Sequence, residues 1–109
     1  MTFNEYQTQA KTTAIYPEIG ARFVYPALGL CGESGEVADK IKKIFRDQGG
    51  VVSEETRQLI GKELGDVLWY VSQLTTEFGF SFEEIAQINL NKLASRASRA
   101  SLNGNGDLR

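Results

Sequence analysis

Residues 30–44, LCGESGEVADKIKKI, decide how this chain is read. Leu30, Val37, Ile41 and Ile44 fall on one stripe when successive residues turn by about 100°. Apolar and polar residues do not alternate at period two, so the stretch reads as an amphipathic helix. Thirty residues further on, positions 60–74, IGKELGDVLWYVSQL, repeat the pattern. Leu30 corresponds to Ile60, Val37 to Val67, Ile41 to Val71 and Ile44 to Leu74. Within the same register Glu33 matches Glu63, Gly35 matches Gly65 and Glu36 matches Asp66. Two such helices, packed antiparallel as a hairpin, point both carboxylate pairs into one space. The two glycines would lie beside them, allowing close backbone approach or leaving room for a ligand.

Local signals extend this reading in both directions. Pro26 looks like a first-turn proline, and Gly49-Gly50 marks the loop after a helix that ends near Arg46. Ser53 followed by Glu54 and Glu55 opens the next helix, and Gly79 stops it. Thr2 with Glu5, and Ser81 with Glu84, have capping-box spacing and open a first and a fourth helix. The expected fold is all-α, a four-helix bundle with helices near 3–15, 26–46, 54–78 and 82–100. Residues 1–100 form one domain that no linker divides. The glycine-rich tail 101–109 has no period and reads as a loop or a mobile end.

Composition narrows the chemistry. The chain has 109 residues, 41% hydrophobic and 24% charged, which fits one globular domain. A net charge of −2 is the wrong balance for a general nucleic-acid binder. Histidine is absent, which excludes Ser-His-Asp triads and every His-bearing metal site. The single cysteine excludes an intramolecular disulfide. Neither an apolar leader core nor a stretch approaching a membrane span is found, so a soluble cytoplasmic domain without membrane or nucleic-acid partners is expected.

One Glu-x-x-Glu pair is ordinarily plain surface charge. Two pairs in register beside an apolar stripe are harder to leave there, because four converging carboxylates repel unless cations neutralise them. All-oxygen ligation without histidine selects Mg²⁺, Mn²⁺ or Ca²⁺ over zinc or iron. On the fourth helix Asn89, Lys92 and Arg96 share a face at i, i+3 and i+7, with Arg99 close to it. Alone this would be a solvated basic face; beside a carboxylate-held cation it suits a polyphosphate.

Glu33-x-x-Glu36, then 26 residues, then Glu63-x-x-Asp66 resembles the E-x-x-E…E-x-x-D signature of MazG-like nucleoside triphosphate pyrophosphohydrolases. The surrounding Leu28–Val37 and Lys62–Tyr70 match as well. Asn89-x-x-Lys92-Leu93-x-x-Arg96 and the ending Gly104-x-Gly106-Asp107-x-Arg109 resemble the small single-domain branch. The resemblance implies Mg²⁺-dependent hydrolysis of a nucleoside triphosphate, a dNTP or a non-standard nucleotide, to the monophosphate and pyrophosphate, with Mn²⁺ as a substitute ion. By similarity Glu33, Glu36, Glu63 and Asp66 would hold the metal, and Glu33 or Glu36 would accept the water's proton. Tyr70 would lie against sugar or phosphate, and Asn89, Lys92 and Arg96 would contact phosphate. It also implies a homodimer or homotetramer whose active site is completed at an interface. The same scaffold acting on dUTP/dUDP or phosphoribosyl-ATP, or kept as a non-catalytic interaction module, is the alternative.

Other residues have plainer readings. Cys31, beside Leu30, is expected to be a buried small hydrophobe. Trp69 falls off the main apolar face and is assigned to a subunit interface. Phe3, Tyr6, Phe23 and Tyr25 read as packing, although the resemblance places a base pocket in this N-terminal part. Lys40 and Lys43 share the face of Glu33 and Glu36, where helix salt bridges are the plain account and phosphate contact the sharper one. The tail lacks the Lys-Ser/Thr of a P-loop.

Overall fold

The computed structural model describes residues 1–99, and its regular elements are four helices: α1 (Phe3–Lys11), α2 (Val24–Asp47), α3 (Glu54–Glu77) and α4 (Phe82–Ser98). Among the described residues there is no strand, only an isolated bridge between Ile19 and Ala21. None of these helices is long and apolar enough to cross a membrane. The tail 101–109, like Ala100, lies outside the described residues.

The ends of the helices follow from local chemistry. Thr2 Oγ1 accepts from the Glu5 backbone N–H at 3.1 Å, and Ser53 Oγ accepts from that of Thr56 at 3.1 Å. Ser81 and Glu84 complete a reciprocal capping box at 3.1 and 3.2 Å. At the end of α3, the N–H groups of Gly79 and Phe80 return to the carbonyls of Thr76 and Thr75. Gly79 takes the left-handed φ of 79° that this Schellman closure requires.

The first helix is shorter than the expected 3–15. The hydroxyls of Thr12 and Thr13 donate to the carbonyls of Gln9 and Ala10 at 2.6 and 2.8 Å, and this local bonding ends the helix at Lys11. The second helix begins at Val24, so Pro26 is third in its first turn rather than first.

Helices α2 and α3 form an antiparallel hairpin. Gly29 faces Tyr70, Lys40 pairs with Glu63, and Gln48 bonds Thr56, so numbers rise on one helix as they fall on the other. Helix α1 is clamped onto α3 and the start of α4 by amides. Gln73 Nε2 donates to the Ala10 carbonyl at 3.1 Å from a fully buried position. Gln7 donates to Thr76 and Phe80 and accepts from the Phe82 N–H, while Asn4 exchanges two bonds with Glu83. Phe82 is buried beneath the rings of Phe3 and Tyr6. The backbone of α4 runs beside α1 and α3 and not beside α2, although Ile85 of α4 and Leu30 of α2 line one cavity.

The apolar core of a single chain is thin. Ala10, Ile44 and Phe82 are its buried hydrophobic residues among those described, whereas Ser72, Gln73 and Thr75 are buried polar ones. Ile41, expected on the inward stripe, is exposed, as are Leu28, Phe45, Leu64 and Leu68. A helical period fixes which residues share a stripe, but not whether one chain is enough to cover it.

Candidate functional site

Carboxylates from the two facing helices meet midway along the hairpin. Glu33 of α2 and Glu63 and Asp66 of α3 each offer an oxygen, and these oxygens lie within 4.8 Å of one another. Glu33 and Glu63 are half-buried and Asp66 is exposed. Glu36, the fourth carboxylate of the two motifs, lies outside that close group. It is still near enough for its charge to act on Glu33 and on Lys40.

The group is electrostatically divided. Burial first, then a hydrogen bond with Glu63, then the charges of Asp66, Glu63 and Glu36, raise the Glu33 carboxyl above its ordinary range. Glu63 is lowered, first by its bond with Lys40 and then by its bond with Glu33. The two neighbours thus differ in proton affinity, Glu33 the higher and Glu63 the lower, and Lys40 Nζ pairs with Glu63 at 3.1 Å. The Lys40 ammonium supplies positive charge to one crowded pair of carboxylates. The donor set fits a divalent cation: three carboxylate oxygens of hard character lie close enough together to share one ion.

Tyr70 lies one turn beyond Asp66. Its ring lies over Gly29, and burial, followed by Tyr25 and the charges of Glu33 and Asp66, raises its phenol. Tyr6 of α1 also feels Asp66. Next to it is a cavity of about 390 Å³ lined by Phe3, Tyr6, Leu68 and Glu83, with Met1 and Thr2 at its edge. Aromatic and aliphatic walls with one carboxylate suit a flat ring that carries N–H donors.

Several expected placements differ. Of the two arrangements expected at Gly35 and Gly65, open space is the one found, not a close backbone. Cys31 is exposed, because it points off the hairpin seam that holds Leu30. Trp69 turns inward: its N–H donates to Thr13 Oγ1 at 2.9 Å, and its ring meets Tyr16 and Tyr70 edge-on. Phe23 and Tyr25 pack, as expected, on Phe78 and Tyr16. Lys43 makes the helix salt bridge, to Asp39 at 2.8 Å, whereas Lys40 crosses to the other helix. Asn89, Lys92 and Arg96 are exposed, half-buried and buried in turn, and the backbone of the helix that carries them does not run beside that of α2.

The reading from sequence missed Lys40 as a partner of Glu63 and Gly29 as a partner of Tyr70. The first was signalled by its place one turn after Glu36. The second carried no signal, since a glycine shows only that a side chain is missing.

A family model for the MazG nucleotide pyrophosphohydrolase domain matches residues 26–100. The "Gene 37 protein" of Mycobacterium phage L5 is 46% identical over 109 residues, spanning 95% of this chain and 96% of that protein. No solved structure matches the chain.

Proposed function

The chain belongs to the MazG nucleotide pyrophosphohydrolase family, and we propose that it hydrolyses a nucleoside triphosphate to the monophosphate and pyrophosphate with Mg²⁺. The observation that carries this reading is the meeting of Glu33, Glu63 and Asp66 across the hairpin. Glu33, Glu36, Glu63 and Asp66 would hold the ion, Glu36 from its place one turn beyond Glu33. When bound, the cation supplies charge stabilisation at the phosphates and a more acidic water. Mn²⁺, with the same preference for oxygen, serves as a substitute.

Hydrolysis places a water oxygen on phosphorus, breaks the α–β anhydride and releases pyrophosphate. One of Glu33 and Glu36 accepts the proton that the water loses. Glu33 suits this task, because burial and the neighbouring carboxylates raise its affinity for a proton. Tyr70 faces the sugar or phosphate from the next turn. The cavity beside Tyr6 takes the base, of a dNTP or a non-standard nucleotide.

The enzyme works as a homodimer or homotetramer in the cytoplasm, where its substrate would be met. Support for assembly comes from the thin core and the exposed leucines of α2 and α3. The backbone of α4 does not run beside that of α2 in its own chain. We assign Asn89, Lys92 and Arg96 to phosphates presented across an interface between copies.

A panel of NTPs and dNTPs, assayed with and without Mg²⁺ for pyrophosphate release, tests the reading. Metal-dependent release from at least one triphosphate is expected. Turnover of the diphosphate in its place would move the chain to a different substrate class.

A further inference from the structure

We propose that Gly29 is a positioning residue: the side chain it lacks is the seat of the Tyr70 ring, which it holds beside Glu33 and Asp66. The role assigned to that ring in catalysis rests on the pyrophosphohydrolase reading, whereas the seat itself rests on geometry alone.

A Cβ added at Gly29 would stand 2.8 Å from Cδ1 of Tyr70 and closer still to Cε1 and Cζ, inside the 3.0 Å that real Cβ atoms keep. Gly32, Gly35, Gly61 and Gly65, on the same two helices, have nothing within 4 Å of that position. Glycine inside a helix is destabilising relative to alanine, and at Gly29 the loss comes with a filled notch.

Trp69 meets the same ring at 5.1 Å between centroids, with the planes 85° apart. The indole is itself fixed by Thr13 at 2.9 Å and by the edge of Tyr16. The Tyr70 ring is thus held by the α2 backbone and by an anchored indole. Gly29 lies one turn before Glu33 and Tyr70 one turn after Asp66, so the notch and the carboxylates belong to adjacent levels of one hairpin. A methyl group at position 29 forces the ring to rotate away, and its hydroxyl leaves the carboxylates with it.

The test uses Gly29→Ala, Tyr70→Ala and the double variant, each confirmed helical by circular dichroism. Gly29→Ala is expected to lower kcat/KM at least about tenfold, the scale on which small misplacements act. Its Mn²⁺ affinity by calorimetry should stay within about twofold of wild type, since no metal-holding carboxylate is changed. In the Tyr70→Ala background the same substitution should cost nothing further, because no ring remains to displace. Emission of Trp69, the one tryptophan, reads the ring without substrate. Gly29→Ala and Tyr70→Ala should shift it alike. Wild-type emission and kcat/KM in Gly29→Ala, or penalties that multiply in the double variant, would overturn the proposal. If Gly29→Ala unfolds while the double variant folds, the ring clash is confirmed directly; if both unfold, the notch explanation fails. A wild-type chain without turnover defeats the enzymatic reading, and the emission pair still decides the seat.

Discussion

Lys40 of α2 reaches across the hairpin to Glu63 of α3, Nζ to Oε1 at 3.1 Å, and stands as a counter-ion at the edge of the carboxylate group. In the absence of a divalent ion this ammonium offsets part of the repulsion among Glu33, Glu63 and Asp66.

Removing that charge should make the site a better cation trap. Lys40→Met is expected to bind Mn²⁺ several-fold more tightly by calorimetry, since the ion no longer displaces an ammonium. Unchanged or weaker affinity would show that Lys40 plays no part in the balance of charge.

Glu33 gives a pH dependence with a definite sign. A carboxyl raised in the folded state binds more protons there than in the unfolded chain, from its ordinary pKa upward. Its effect on stability is absent below the unfolded pKa and becomes a growing penalty as pH rises through the folded value. Metal-free Glu33→Gln should therefore melt above wild type near neutral pH, and the gap should close toward about pH 4. Divalent ions should raise the melting temperature of wild type and leave that of the variant nearly unmoved. A variant that melts below wild type at neutral pH would contradict the raised carboxyl.

Lys92 tests the assignment of α4. A charge-assisted contact to phosphate is worth about 1.5–3 kcal/mol, so Lys92→Ala should lower kcat/KM roughly ten- to a hundred-fold. Mn²⁺ binding to the carboxylates should be unaffected. Unchanged kinetics in a folded variant would leave α4 as scaffold.

Assembly is readable by sedimentation. With Leu28 65%, Leu64 52% and Phe45 72% exposed, a lone chain leaves large apolar side chains in water. A dimer or larger species is expected at micromolar concentration. A well-folded 12.1 kDa species would contradict it.

The helices and the carboxylates were legible for a shared reason: both are set by short-range spacing. Ser53, Ser81 and Gly79 cap and stop helices through bonds spanning a few residues, and the sequence displays them. The thirty-residue correspondence likewise placed Glu33 against Glu63 and Asp66. Rotation of one helix against another is a long-range property. Cys31 is therefore exposed, Trp69 bonds Thr13, and Lys40, whose spacing marks its face but not its partner, crosses to Glu63. The early end of α1 was hidden because threonine hydroxyls compete with the helix in a way that propensity alone does not rank.

The central claim is α–β cleavage driven by a cation on the hairpin carboxylates, and ³¹P NMR of a triphosphate under turnover tests it most directly. Monophosphate and pyrophosphate should grow in equal amounts with Mg²⁺, stop on addition of EDTA, and fail to appear with folded Glu36→Gln or Asp66→Asn. Diphosphate with orthophosphate, turnover that persists in EDTA, or full activity in both variants would contradict it.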